Sequence, residues 1–469
     1  MKRQLLSLAL VTTLLLALLG TMPTPVRAAT SFVVNSNADD AQSHDATTGD
    51  GTCLDDSSRC TLRAAIEEAN AYGDPDTTIT FNSAMTITLD TAEGALPSIW
   101  QQLKIDASSV WDTSNDRPGV TLDGSNLLSA TGLNLRVDNC EVYGLFITNF
   151  GMAIDIYAAD YAIIGGKDPG QRNVLSGNSS MGIRIHSGIG NRIRGNWIGL
   201  NVSGDTALPN GHGVYISDGA NNNTIGGLTP GEGNYISGNT WHGVYIQGDG
   251  AHHNHLYGNI IGLPATGSQN VGNGGHGVYI RKQTGDTTGP EYNRIGREAY
   301  PANTISANGQ YGVYILGAKN NYVEACTITT NISDGVRIDG LTATGNLVTA
   351  NSIHDNGGKG IGLVNGSQHD IAAPTITSAS ASGASGAYTC ANCTSYYRID
   401  IYSDNSDEGA IWHGYVTATV GSDWVYSGTI VGPYVTATAT DDFYVETSEF
   451  SAPRRTVYYI YLPLIVRNH

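Results

Sequence analysis

His212-Gly213-Val214-Tyr215-Ile216 returns as His242-Gly243-Val244-Tyr245-Ile246, as His276-Gly277-Val278-Tyr279-Ile280 and as Tyr311-Gly312-Val313-Tyr314-Ile315. Looser copies flank the set: Met181-Gly182-Ile183-Arg184-Ile185 before it, then Asp334-Gly335-Val336-Arg337-Ile338 and Lys359-Gly360-Ile361-Gly362-Leu363 after it. A phrase that recurs at a spacing of roughly 20–50 residues marks a solenoid, in which each repeat buries its apolar side only against its neighbours. Alternation along a strand assigns the faces: Val and Ile, two apart, point inward, and the Tyr between them points out. Val214, Ile216, Val244, Ile246, Val278, Ile280, Val313 and Ile315 are therefore expected to form ladders in a core.

Two more short strands fit between successive phrases, each usually opened by Asn, as in Asn346-Leu347-Val348-Thr349 and Asn351-Ser352-Ile353-His354. Gly312 and Gly335 are 23 residues apart, Gly335 and Gly360 25. Three short strands in such a period describe one coil of a parallel β-helix. Earlier periods run to 30, 34 and 35 residues, with the excess in loops at 226–233, 264–275 and 282–291. Neither leucine-rich-repeat spacing nor a five-residue period is present.

Ahead of the repeats, Leu62, Ala65, Ile66 and Ala69 fall at the i, i+3, i+4, i+7 spacing of an amphipathic helix, with Thr61 placed to cap its start and Gly73 to end it. A single such helix before a long β region is expected to act as a lid on the open apolar end of a stacked β architecture. The segment Cys60-Thr61-Leu62-Arg63-Ala64-Ala65-Ile66-Glu67-Glu68-Ala69-Asn70 resembles the N-terminal motif of bacterial CSLREA-domain proteins, with Thr61 where the usual form has Ser and Ala64 where it has Glu. The resemblance implies a right-handed parallel β-helix on a secreted or cell-surface protein, and it implies architecture far more than activity.

The start of the chain has the pattern of a secretory signal: Lys2-Arg3, a leucine-rich run from Leu5 to Leu19, and Val26-Arg27-Ala28 before the expected cleavage point. The run is short for a bilayer span. Export makes disulfides available, and Cys53 with Cys60 and Cys390 with Cys393 are read as structural cross-links. Cys140 and Cys326, in different repeats, are expected to be buried thiols. After the repeats, 372–386 is rich in Ala, Ser and Gly. The longer alternating strands that follow suggest a small immunoglobulin-like β-sandwich, and two phrases there, Val435 to Asp441 and Thr447 to Ser451, resemble a module that often follows such β-helices. The expected organisation is thus a signal peptide at 1–28, an N-terminal cap at 29–76, a parallel β-helix at 77–371, a β-sandwich at 372–455 and an apolar tail at 456–469. The tail is too short to span a bilayer as a helix and is read either as surface attachment or as a last strand.

The chain has 469 residues, of which only 14% are charged, and a formal charge of -18. Acidity of that size argues against nucleic acid and against anionic membrane surfaces as partners. On the outward side, Tyr215, Tyr245, Tyr279 and Tyr314 are expected to form a stripe, extended at its ends by Arg184 and Arg337. Aromatic faces with hydrogen-bonding rims suit sugar rings, although tyrosines also stack on one another in solenoids without any ligand. His212, His242 and His276 precede the stripe and join it as candidate ligand-binding residues. As a metal site they are disfavoured, because metal ligands converge on one point whereas a ladder runs in parallel lines.

Gly211-His212-Gly213 and Gly275-His276-Gly277 resemble the Gly-His-Gly of polygalacturonase-type glycoside hydrolases, which makes His212 and His276 catalytic candidates. The Asn-Thr-Asp and Arg-Ile-Lys of those enzymes are absent, and the paired aspartates (Asp39-Asp40, Asp55-Asp56, Asp441-Asp442) lie outside the repeats. Without two convergent carboxylates glycoside hydrolysis lacks its acid and base. In the C-terminal part, Asp404, Asp407 and Glu408 offer closely spaced oxygens that calcium could use, against the plainer reading of a solvated hairpin turn; no other cofactor is implied. The sequence thus points to an exported, monomeric, secreted or cell-surface β-helix that binds carbohydrate or cell-envelope glycan without catalysis. A polysaccharide lyase or glycoside hydrolase working on the same face is the alternative, and a structural spacer is the third reading.

Overall fold

The computed structural model describes residues 30–389, 396–419, 421–443 and 445–457. The expected leader, Cys390, Cys393 and nearly all of the expected tail lie outside them. Three parallel sheets of eleven, ten and nine strands run the length of the repeat region. They are called here the first, second and third sheets, in the order in which the chain enters them. A coil contributes one strand to each: His212–Ser217 to the third, Thr224–Gly226 to the first, Tyr235–Ile236 to the second, and Val244–Gln247 begins the next coil in the third. This is the parallel β-helix that the period implied.

The repeated phrase stacks in register, with Val214, Val244, Val278 and Val313 in one column and Ile216, Ile246, Ile280 and Ile315 in another. All eight side chains are buried in one continuous core. Identical β-branched residues on consecutive rungs present the same surface to the rungs above and below, so one packing solution serves every coil.

Each corner between sheets is held by a buried asparagine ladder. Asn173, Asn196, Asn234, Asn259 and Asn303 line the corner from first to second sheet, each Nδ2 donating to the Oδ1 of the next at 3.0 Å. A second ladder runs from Asn178 through Asn210, Asn239, Asn273, Asn308 and Asn331 to Asn356, and a third from Asn191 through Asn223, Asn254, Asn293 and Asn321 to Asn346. The same amides also donate to backbone carbonyls one coil back, as Asn259 does to Ile225. A corner must turn the backbone and so strands its peptide groups inside the core. The ladder gives those groups partners where water has no access. Asparagines that open strands in the sequence thus gain, through stacking, a structural role at the corners.

The two buried thiols, Cys140 and Cys326, are unpaired as expected. Cys326 stands in the first ladder in place of an asparagine: Asn303 Nδ2 reaches its Sγ at 3.8 Å, and its backbone N–H donates to Asn351 Oδ1 at 2.9 Å.

At the N-terminal end the helix Leu62–Tyr72 forms as predicted, Thr61 accepting from the Ala64 N–H and Gly73 closing it in the left-handed region. Leu62, Ala65, Ile66 and Ala69 join the core of the first coils. The polar residues of the same segment fasten the acidic loop that precedes it. Arg63 pairs with Asp39 in a fully buried bridge at 2.7 Å, Glu68 accepts the N–H groups of Gly49 and Gly51, and Cys53 is disulfide-bonded to Cys60.

The C-terminal part is an antiparallel sandwich of a three-stranded and a four-stranded sheet around Tyr388, Tyr397, Trp424 and the alternating residues of Tyr434–Asp441. The stretch rich in Ala, Ser and Gly contributes two strands, Thr375–Ser380 and Gly383–Ala387. Its small residues are needed because the Trp424 ring lies directly over Gly386. The sandwich sits on the last coil: Val348 N–H donates to Thr447, Thr349 to the buried Asp400 and Ala350 N–H to the Tyr402 hydroxyl. These contacts satisfy backbone groups that an open sheet edge would expose to a further strand. Among the described residues no helix is long and apolar enough to cross a membrane.

Candidate functional site

The long strands of the third sheet carry two outward columns side by side. Tyr215, Tyr245, Tyr279 and Tyr314 align rung by rung, and His212, His242, His276 and Tyr311 stand along their flank. Rings within the tyrosine column lie 4.9 to 5.3 Å apart, close to the strand spacing, and Tyr279 and Tyr314 are within 3° of parallel. Two of the histidine rings meet tyrosines edge-on, His242 against Tyr279 at 4.9 Å and His276 against Tyr314 at 4.9 Å.

This packing corrects one expectation. The tyrosines do point out of the core, but the Tyr245, Tyr279 and Tyr314 rings stack face to face on successive coils, so Tyr245 and Tyr279 are only 8% exposed. What the stripe presents is a line of rims. Burial raises the phenols, Tyr215 and Tyr279 to about 12, so every hydroxyl keeps its proton at neutral pH. Gln247 donates to the Tyr215 hydroxyl, and the Tyr314 hydroxyl donates to Asp339 at 2.9 Å. An open aromatic face does exist beside the columns: Trp241 is 49% exposed and rests against His212 at 5.0 Å. Its place directly before His242 in the repeat is the one signal of it in the sequence.

The histidines have a definite chemical state. The His242 N–H donates to His212 Nδ1 at 3.4 Å, the His276 N–H to His242 Nδ1 at 3.0 Å and the Tyr311 N–H to His276 Nδ1 at 3.3 Å. An Nδ1 that accepts a backbone N–H holds its lone pair there, so the ring proton is on Nε2. Burial pushes the same three imidazoles down, to about 4, about 3 and about 4 for His212, His242 and His276. They are neutral hydrogen-bond donors with no free basic nitrogen. That arrangement suits hydrogen bonding to an uncharged acceptor and does not suit a general base.

The amino-terminal end of the face is different. Asp155, Arg184 and Tyr215 occupy one column, Tyr157, His186 and Ser217 the next. Asp155, 2% exposed, holds the Arg184 guanidinium through two bonds of 2.7 Å. His186 stacks on Tyr157 at 4.5 Å and meets Asp218 at 3.0 Å from its Nδ1. A carboxylate-oriented imidazole thus lies beside a fixed guanidinium. Asp155 was readable as the residue standing where Tyr stands in later copies of the phrase; Asp218 and His186 were not, because they lie in successive coils, 32 residues apart, and only the register brings them together.

At the far end Arg337 continues the tyrosine column and is held by Asp334 at 2.8 Å. The candidate calcium residues do not converge: Asp404 accepts from Ser406 and from the Glu408 N–H as an ordinary turn carboxylate, and Glu408 faces the Asn356 N–H at the end of the second ladder. No group of three metal-ligating side chains occurs among the described residues.

Comparison with known proteins gives a family model for a right-handed β-helix region that matches residues 232–423. No curated protein matches the chain. Among solved structures it is similar to the A-module of the Azotobacter vinelandii mannuronan C-5 epimerase AlgE6, at 18% identity over 64% of this chain and 74% of that one, with a TM-score of 0.43. It is also similar to the Dettilon tailspike protein, at 14% identity over 87% and 78%, TM-score 0.42. A third is PfbA, a surface adhesin of Streptococcus pneumoniae, at 11% over 64% and 87%, TM-score 0.30.

Proposed function

We propose that this right-handed parallel β-helix is a secreted or cell-surface protein that binds polysaccharide along the outer face of its third sheet without transforming it. The observation that carries the reading is the double column of phenol and imidazole rims, uncharged at neutral pH and repeated over four coils beside the exposed Trp241. A sugar chain offers alternating hydroxyls and apolar C–H faces. The rims supply partners for the first and Trp241 a surface for the second. Export is supported by the leader pattern of the first residues. The test is a polysaccharide panel with the intact chain and Trp241→Ala, a side chain whose half-exposed position makes it dispensable to the fold. Binding that weakens by about tenfold, the equivalent of one aromatic contact, agrees with the proposal; absence of binding to every polysaccharide sinks it.

A second reading, a lyase or hydrolase, is favoured by one feature, the His186–Asp218 pair beside the Arg184 that Asp155 holds. Reducing-sugar and unsaturated-uronate assays separate the two. Turnover that disappears in His186→Gln would make the face catalytic; blank assays with retained binding leave it a binding surface.

A further inference from the structure

Part of the outer side of the first sheet carries arginines that a net charge of -18 does not anticipate, although Arg294 there is paired with Glu324 and burial lowers the His255 imidazole to about 4. Arg192, Thr224, His255 and Arg294 follow one another on the outward side of successive rungs. Beside them, Gly226 lies next to Tyr257 at the edge of a hollow of about 300 Å³ walled by Arg192, Arg194, Leu228, Glu232 and Tyr257. The floor must stay bare: Gly226 has φ +87°, and a Cβ there would come within 2.0 Å of the Tyr257 carbonyl oxygen. One wall is a built loop, since Glu232 accepts the N–H groups of Leu228 and Thr229 at 3.0 Å each.

The charges in the hollow do not cancel. Glu232 takes Nη1 of Arg194 at 2.9 Å, while the Arg194 Nε is buried without an acceptor. Arg192 is exposed and makes no ion pair among the described residues. Two guanidinium groups therefore line the hollow against a single carboxylate, which only Arg194 engages. Because charges more than about 10 Å away are screened at ordinary salt, this local excess rather than the acidic whole decides what the hollow attracts.

We propose that the hollow binds a carboxylate-bearing sugar, a uronate residue of an acidic polysaccharide, with Arg192 on the carboxylate and the ring over the bare Gly226–Gly227 backbone beside Tyr257. The planar fork of a guanidinium matches a carboxylate through two parallel bonds. Glycine backbone lets a ring approach more closely than any side chain would. The volume lies at the lower end of ligand sites, suited to one sugar unit. The site is on a different sheet from the aromatic columns and does not depend on their role.

The experiment is calorimetric titration of the intact chain with a hexamer of galacturonic acid and with its fully methyl-esterified form, which keeps the rings and removes the charge. The acid form is expected to bind, the ester at least tenfold more weakly. Arg192→Ala, at an exposed position, should weaken the acid form at least fivefold, while Ile411→Ala, an exposed position in the C-terminal sandwich, leaves it unchanged. No binding of the acid hexamer, equal binding of the ester, or unchanged affinity in Arg192→Ala overturns the proposal. Loss of acid binding in Tyr279→Ala with retention in Arg192→Ala overturns it too, and assigns the uronate to the third sheet.

Discussion

Replacing His276 by Asn separates the structural role of the histidine column from any reactive one. His276 is 5% exposed, and burial lowers its imidazole from the ordinary 6.5 to about 4. Between those two pH values the unfolded chain holds a proton on this residue that the folded chain refuses, so stability rises with pH across the window. The contribution is complete above 6.5 and is lost as the pH falls toward 4. At about 1.4 kcal/mol per pH unit, the residue removes about 2 kcal/mol of stability between pH 6.5 and pH 5. Asn cannot titrate, and its Oδ1 can take over the Tyr311 N–H that His276 Nδ1 now accepts. The variant loses ring contacts with His242 and Tyr311 at every pH, so its deficit at pH 7 is constant and cancels in the comparison. Removing the charge at this rung also eases protonation of His242, whose depression includes its neighbour His276, and this acts in the same direction. Urea unfolding of wild type and variant at pH 7 and pH 5, followed by tryptophan and tyrosine fluorescence, should show the stability gap narrowing by about 2 kcal/mol at the lower pH. Parallel pH profiles would refute the reasoning and return His276 to the set of groups free to exchange protons.

Asn259→Ala removes an amide that gives to Asn303 and to the Ile225 carbonyl and takes from Asn234, leaving several buried groups unpaired; a loss of about 3–5 kcal/mol is expected in denaturant unfolding. Cys326→Asn should act in the opposite sense by about 1 kcal/mol, because it completes the ladder between Asn303 and Asn351, and a lowered midpoint would contradict the ladder account. Arg63→Ala leaves Asp39 buried without its partner and should cost about 3–5 kcal/mol, measured in the same way. His44 is raised by Glu93 and Glu67, so its tie between the acidic loop and the helix is firm at acid pH and loosens as the pH rises past its folded value; proteolytic nicking within residues 39–58 should become faster with rising pH in wild type and be independent of pH in His44→Ala.

The fold was legible because it is written once per coil. Val and Ile alternate at period two, Gly marks the phrase and Asn opens the strands, and a stacked architecture makes each of these local facts global. The stacking itself was less legible. That Asn259 touches Asn303 across 44 residues of sequence follows from coil lengths that vary with their loops, so the ladders emerge only once register is known. The same holds for the site. Tyr and His columns could be predicted from the phrase, but not that stacking covers the ring faces, because the covering ring belongs to the next coil.

Register also decides which polar residues mean something. In sequence, Asp155, Asp218 and His186 are single residues in separate repeats, no more noticeable than Asp249, which serves only to hold the Thr287, Thr288 and Gly289 N–H groups of a loop. Stacked, Asp155 fixes Arg184 and Asp218 orients His186, whereas the histidines that stood out in sequence have their basic nitrogens occupied by backbone N–H groups. Repetition is therefore a poor guide to chemistry in a solenoid. A residue kept on three successive rungs can satisfy the backbone of each rung in turn, as His212, His242 and His276 do. A residue that breaks the column, as Asp155 and Arg184 break the tyrosine stripe and Arg194 and Tyr257 interrupt a column of glycines in the first sheet, makes a local difference in charge or volume. A ligand confined to one or two coils needs such a difference, and it is at those breaks that substitution should change binding without changing the fold.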